Sequence, residues 1–231
     1  DADGTPDLER CGAEREGLES HYARHGVTHV LVDGPTLVRA AGGAERDWTH
    51  RPEPVPAGHD APEEVLHAGV RIGDSEVIAF GRNLSVAYHV WSPTEGYPGD
   101  AWYLDHYATG GFGVHRSWRV TDRSLPPDAK APYVPERAAA RAVEHAAHFV
   151  DVTRAALHGR PGGLVVAAYD TELLGHWWHE GPVWLGHVLE RVAAAPDLRT
   201  TTLASRAERR PPDPRLHLPE SSWGYAKGHA S

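Results

Sequence analysis

The apolar run from Leu164 to Tyr169 is the feature that most constrains the fold. It has the length of a strand and carries no charged side chain before Asp170. Such a run favours a strand buried on both faces, as in a parallel sheet. Long helical patterns flank it, one from Pro135 to about His158 and one beginning near Pro182. This alternation predicts an α/β fold with parallel strands, as a barrel or a doubly wound sheet, and in both folds chemistry lies where strands end.

Shorter patterns extend this alternation along the chain. The scattered Gly, Pro and charged residues of 37–67 follow no period, which predicts a long surface loop or insertion. Other stretches do have the period of regular structure. They predict a helix over about 15–25, a short amphipathic segment over 84–91, and strands over 27–32, 76–80 and 200–203.

Composition excludes several classes of partner. The net charge is −9 and no Lys/Arg cluster is present, which argues against nucleic acid. No apolar run approaches the roughly 20 residues of a membrane helix. The single cysteine, Cys11, rules out an internal disulfide framework, so we expect a cytoplasmic protein. The chain contains no Met and begins with a polar stretch, which leads us to expect a fragment.

The densest chemical tract is Asp170-Thr-Glu-Leu-Leu-Gly-His-Trp-Trp-His-Glu-Gly-Pro182. A carboxylate at a strand end in an α/β fold points into the cleft, and tryptophan faces stack on sugar rings. The alternative is that Trp177 and Trp178 are core residues and Asp170 caps the next helix. His176 and His179 have helical spacing, but the tract lacks the catalytic Glu of a zinc protease motif. We expect neither a metal nor a cofactor.

Two further tracts have the composition of a sugar cleft. The loop-rich stretch 90–105 combines Trp91 and Tyr97 with the carboxylates of Glu95, Asp100 and Asp105. Its alternative is an ordinary turn-rich loop with Trp91 packed inward. Near the end of the chain, 217–224 contains Trp223 after two serines.

These three tracts resemble conserved regions of glycoside hydrolase family 57, and most closely those of its 1,4-α-glucan branching enzymes. Residues 168–182 are similar to the fourth conserved region, with Leu174 in place of the usual aromatic residue. Residues 79–100 resemble the third region, and 218–224 resemble the fifth. The resemblance implies a portion of an incomplete (β/α) barrel with loop-rich insertions over 1–205. It also implies a linker and the start of a C-terminal region over 206–231.

The resemblance also implies site residues and an activity. It assigns the acid/base role to Asp170. The family carries its nucleophile as a Glu directly before a Cys, whereas here Arg10 precedes Cys11 and Glu9 is the nearest candidate. The implied substrate is an α-1,4-glucan, and the implied reaction is retaining transfer to form α-1,6 branches. The candidates for substrate binding are Trp91, Tyr97, Asp100, His176, Trp177, Trp178 and Trp223.

Two alternatives to a branching enzyme remain open from the sequence. A family 57 amylase or 4-α-glucanotransferase would use the same chemistry with a different acceptor. A non-catalytic glucan-binding remnant is favoured by Arg10 and by the absence of the family's first strand with its histidine motif.

Overall fold

The computed structural model describes residues 17–44, 57–58, 61–92, 95–106 and 118–221. It divides into two compact units. The first, which we call the sheet unit, comprises residues 1–84, 157–166 and 201–231, and the second, the helical unit, comprises 85–156 and 167–200. Across the described residues, the helices are α1 Leu18–Arg24, α2 Gly34–Ala40, α3 Val65–Ala68, α4 Leu84–Trp91, α5 Pro135–Leu157, α6 Gly181–Ala194 and α7 Leu203–Arg209, and the strands are β1 His29–Val32, β2 Val70–Ile72, β3 Ile78–Gly81 and β4 Arg215–Leu216.

A mixed four-stranded sheet in the order β1-β3-β2-β4 forms the centre of the sheet unit. β1 and β3 are parallel, with His29 opposite Ile78, and β2 and β4 are also parallel. β2 and β3 are antiparallel, which corrects the expectation of parallel strands throughout. The reason is the short link between them, closed by a bond from the Ile72 amide to the Val77 carbonyl (3.0 Å), since so short a connection joins only antiparallel neighbours.

A buried ion pair joins the ends of β1 and β3. Asp33 accepts the Gly34 amide hydrogen bond at the start of α2 (3.1 Å) and also pairs with Arg82 (3.0 Å). Both charged side chains are almost fully buried. The sequence Asp33-Gly34-Pro35 therefore forms a helix start with an Asp N-cap and Pro in the first turn.

The apolar run 164–169 does not join the sheet ladder, contrary to the prediction of a strand buried on both faces. Leu164 and Val166 are buried, whereas Val165 between them is only half-buried. The Leu164 amide donates to His67 (2.9 Å), and the Val166 carbonyl accepts from Asn83 (2.8 Å). These bonds reach two separate segments, so they do not form the repeated pairing with one partner that a ladder requires.

The helical unit is built around α5 and α6. Along α5 the side chains of Ala138, Ala142 and Ala146 are completely buried, one turn apart, and Phe149 continues the stripe. Phe149 packs edge-on against Trp184 of α6, with ring centroids 5.0 Å apart. The predicted limits of α5 and the predicted start of α6 are confirmed to within about one residue.

The C-terminal part of the described chain differs from its prediction. Residues 200–202 are irregular and α7 follows, so the predicted strand at 200–203 is absent there. Thr202 caps α7 by accepting the Ser205 amide hydrogen bond (3.1 Å). The expected domain limit at 205 stays a prediction, and β4 beyond α7 pairs with β2. None of the described helices combines the length and apolar character needed to cross a bilayer.

Candidate active site

Asp170 lies at the start of a short turn in the helical unit. It is exposed, and its backbone carbonyl accepts from Leu173 (3.0 Å) in the short 3₁₀ helix Thr171–Leu173. Its side chain makes no capping bond to the described residues of that helix, although it occupies the N-cap position. The carboxylate is therefore open to solvent, as an acid/base group that must meet substrate requires.

The turn after Asp170 separates two adjacent tryptophans. The Trp178 amide donates to Leu173 (2.8 Å), and the Gly175 amide donates to Trp178 (2.8 Å). Gly175 has a φ of +99°, a conformation that side chains disfavour. This closed turn directs successive side chains to opposite sides.

Trp177 and Trp178 consequently have different environments. The Trp177 side chain is 40% exposed, and its indole N–H donates to Glu172 (3.3 Å). Trp178 is 1% exposed and packs against Trp184 (5.1 Å) and Tyr103 (5.6 Å). No face of Trp178 is open to a sugar, so we assign it to core packing, which was the alternative weighed from the sequence. Trp177 keeps an open face.

A cavity of about 580 Å³ lies beside Trp177. Trp91, at the end of α4, lines it together with Leu173 of the tract that follows Asp170. The volume is in the range of a small-molecule site. The remaining lining residues are Val90, Ser92, Pro98, Gly99, Leu104, Asp105, His106, Val120, Arg123, Leu125, Pro127 and Lys130.

Charged side chains give this cavity fixed polar groups. Asp105 and Lys130 form an ion pair, and both side chains are at least nine-tenths buried. Arg123 donates to the carbonyl of Gly96 (3.0 Å), and burial lowers the pKa of its guanidinium. The cavity thus combines indole surfaces with charged hydrogen-bonding groups, which is the composition of a sugar-binding cleft.

His106 supports the tryptophan at the cavity. Its ring lies 4.2 Å from that of Trp177, and its Nδ1 lies 3.1 Å from the carbonyl oxygen of His176. His176 itself is exposed, and its ring is 5.2 Å from the Trp177 ring. Of the predicted binding residues, Trp91, His176 and Trp177 are thus brought to one region. His106 was missed, because a lone histidine in a loop carries no spacing signal.

Tyr97 and Asp100, also predicted to bind substrate, are held against α5. Tyr97 is 5% exposed and stacks on His145 (4.4 Å), and its hydroxyl oxygen lies 2.7 Å from Nδ1 of His148. Asp100 pairs with Arg141 (2.9 Å). The Asp100 carboxylate also borders the groove described below. These two residues anchor the loop 96–105.

Tyr103 and His145 form a second link between that loop and α5. The Tyr103 hydroxyl lies 2.7 Å from Nδ1 of His145. Burial, assisted by Arg141, lowers the pKa of His145 to about 4, although Asp100 opposes the shift. The histidine is therefore neutral at pH 7. Burial also raises the pKa of Tyr103, so this hydroxyl stays protonated.

Glu180 is a buried carboxylate that sequence reasoning did not single out. It is 3% exposed, and its Oε1 accepts the Leu104 amide hydrogen bond (3.0 Å). Tyr133 lies beside it, and burial together with this carboxylate raises the pKa of the phenol. Glu180 thus ties the loop 96–105 to the tract after Asp170. The sequence did not predict that Glu180 is buried, because this residue lies at the boundary of a predicted helix.

Two predicted site residues, Glu9 and Trp223, lie outside the described residues. Among the described side chains, no group of three His, Cys, Asp or Glu is arranged to hold a metal ion.

Sequence comparison finds relatives that are named for one activity. No protein-family model matches the sequence. A probable 1,4-alpha-glucan branching enzyme from Mycobacterium tuberculosis is 42% identical over 218 residues, which cover 91% of this chain and 36% of the relative. The chain therefore spans about a third of the length of this relative.

Structural comparison finds the same family. A GH57 branching enzyme from Thermococcus kodakaraensis, solved in complex with glucose, superimposes with a TM-score of 0.79 at 31% identity, covering 94% of this chain and 39% of that one. The α-amylase AmyC from Thermotoga maritima superimposes with a TM-score of 0.71 at 25% identity, covering 94% and 43%. These matches confirm the predicted α/β fold class and the resemblance read from the motifs. In sequence and in fold, the chain is a relative of one segment of the glycoside hydrolase family 57 branching enzymes.

Proposed function

We propose that the chain is part of a 1,4-α-glucan branching enzyme in which Asp170 is the catalytic acid/base. The observation that carries the proposal is the placement of Asp170: its carboxylate is open, and the tract that follows it supplies Leu173 and Trp177 to the cavity that Trp91 also lines. The relatives named for this activity add support.

The proposed reaction has two steps, and Asp170 acts in both. A carboxylate nucleophile attacks the anomeric carbon of an α-1,4-linked glucose, the bond to the leaving oxygen breaks, and Asp170 gives that oxygen its proton. A glycosyl ester forms. Asp170 then takes the proton from the 6-hydroxyl of an acceptor glucan as this oxygen attacks the anomeric carbon and releases the nucleophile. Glu9 is the proposed nucleophile.

The cavity would decide between transfer and hydrolysis. Water competes with the acceptor for the glycosyl ester, so a branching enzyme must hold a glucan chain there and exclude water. Trp91 and Trp177 supply apolar surfaces for this purpose, and Asp105, Lys130 and Arg123 supply hydrogen-bonding groups.

We also propose a cytoplasmic location, supported by the single cysteine.

The test uses the full-length protein and amylose. New α-1,6 linkages are counted after enzymatic debranching, and released reducing ends are measured in the same samples. Asp170→Asn should lower the branching rate by about 10²- to 10⁴-fold, the usual contribution of a general acid/base. Asp151→Asn is the matched control, since this side chain lies 72% exposed on α5 and pairs with Arg154.

Each outcome separates the candidate functions. Branch formation lost in Asp170→Asn and kept in Asp151→Asn supports the proposal. Reducing ends without new branches would indicate an amylase, the activity for which the T. maritima neighbour is named. Amylose binding without either product would indicate a glucan-binding remnant. Unchanged branching in Asp170→Asn would reject Asp170 as the acid/base.

A further inference from the structure

Trp102 is an exposed aromatic residue outside the cavity described above. Its side chain is 37% exposed. The guanidinium of Arg119 lies 4.2 Å from the ring centroid and that of Arg137 lies 6.0 Å from it. These cation–π contacts hold the indole in place while part of its surface stays open. A fixed, partly open indole is a surface on which a ligand ring can stack.

Trp102 forms one wall of a separate groove along α5. The groove has a volume of about 380 Å³ and shares no lining residue with the cavity beside Trp177. Its remaining wall consists of Asp100, Ala101, Arg137, Ala140, Arg141 and Glu144. The two alanines give the floor an apolar patch, and the charged side chains surround it.

The charges in this groove balance each other. Asp100 and Glu144 both pair with Arg141, and Arg137 adds a second guanidinium. Two carboxylates and two guanidiniums leave the lining without net charge, so it does not select an anion by long-range attraction. The lining does offer hydrogen-bond acceptors and donors next to an aromatic face. A neutral polyhydroxyl ring, which donates and accepts hydrogen bonds and has an apolar face, matches this pattern.

We propose that this groove is a second binding site for an α-glucan chain, distinct from the site at Asp170. The choice of glucan as the ligand rests on the proposed function. Because glycogen and amylose are long polymers, a second contact on the same chain raises the effective concentration of substrate at the first site. A short oligosaccharide that occupies one site does not reach the second, so the second site does not raise its affinity for the first.

The experiment compares a polymer with a short ligand. Dissociation constants of the full-length protein for glycogen and for maltotriose are measured by affinity electrophoresis and by calorimetry. Trp102→Ala should weaken glycogen binding about five- to tenfold, the loss expected for one aromatic stacking contact, and leave maltotriose binding at the Trp177 cavity unchanged. Arg137→Ala, on the exposed face of α5, should weaken glycogen binding about twofold.

Val134→Ala is the matched control, because Val134 is also 37% exposed and does not line the groove. Thermal unfolding of every variant checks that the fold is kept, and Arg137→Ala carries the test if Trp102→Ala does not fold. Glycogen affinity that is unchanged in both groove variants would overturn the proposal. Displacement of glycogen by inorganic phosphate at constant ionic strength would also overturn it, since the groove would then be an anion site.

This result is independent of the acid/base test. Weaker glycogen binding in Trp102→Ala, together with full branching activity in Asp170→Asn, would leave the groove assigned and reject only the proposed catalytic residue. Lost branching in Asp170→Asn with unchanged glycogen binding in Trp102→Ala would reject only the groove.

Discussion

Two segments of the helical unit have the composition of a sugar cleft, but they have different roles in the structure. The tract 170–181 leaves Asp170, His176 and Trp177 exposed. In the loop 96–105, Tyr97 and Tyr103 are instead buried against α5, whereas Trp102 stays exposed. Aromatic and acidic residues in a loop therefore do not by themselves indicate ligand contact. What distinguishes the two segments is whether a neighbouring helix supplies partners, as α5 does with its histidines and Arg141.

The strongest test of this comparison is Trp178→Ala. Removing an indole that is 1% exposed should leave a core cavity and lower the free energy of unfolding by about 3–5 kcal/mol. Denaturant unfolding followed by fluorescence measures the loss. If Trp178→Ala were as stable as the parent protein yet had lost glucan affinity, Trp178 would be a binding residue and our assignment to the core would fail.

The pH dependence of stability tests the link between Tyr103 and His145. An unfolded histidine has a pKa near 6.5 and this one is lowered to about 4 in the fold, so the fold disfavours the charged ring. Its stabilising contribution is present above about pH 6.5 and is lost as the pH falls toward 4, by up to about 3 kcal/mol.

Urea unfolding between pH 7 and pH 4 measures this slope. The comparison variant is His145→Gln, which keeps a hydrogen-bonding side chain but cannot titrate in this range. It should be less stable at pH 7 and show a flatter pH dependence. Equal slopes for the two proteins would contradict the assignment of a neutral, buried His145.

Tyr97→Phe tests whether the loop 96–105 is an anchor. The variant removes the hydroxyl that bonds to His148 but keeps the ring stacked on His145. Stability should fall by about 1 kcal/mol, the usual net value of one hydrogen bond. Maltotriose affinity should not change, because the ring is buried. A lower affinity at unchanged stability would return Tyr97 to the substrate-binding residues.

Trp177→Ala should have the smallest effect on stability and a clear effect on binding. The indole is 40% exposed, so its removal should cost only about 0.5 kcal/mol of stability. Maltotriose affinity should fall about tenfold through loss of the stacking surface. Calorimetry at one pH measures the maltotriose affinity of the parent protein and of the variant. An unchanged affinity would mean that the cavity beside Trp177 is not the glucan site.

Local sequence signals predicted much of the fold, but not its strand pairing. Pro135 marks the start of α5 and Gly26 follows α1, as their backbone preferences require. The strand β2 was missed, because three residues give too short a pattern to recognise. β4 is shorter still, and it is defined by its pairing with β2.

The sequence predicted two of the residues that line the cavity, Trp91 and Trp177, but not the details of their surroundings. The tract after Asp170 was recognised because its residue types are rare together and match a family motif. Which of its two tryptophans faces the cavity was not predictable, since neighbouring positions have the same composition and only the turn at Gly175 separates them.

The sequence by itself determined the α/β class, the major helices and the family resemblance, and it gave Asp170 as a candidate acid/base that stays a prediction. These follow from hydrophobic periodicity and from a specific motif, both of which are local along the chain. Only the tertiary structure decided the mixed strand order, the burial of Tyr97 and Trp178, and the groove beside Trp102. The burial of a side chain depends on which residues, distant in sequence, pack against it, and these contacts form only in the folded structure.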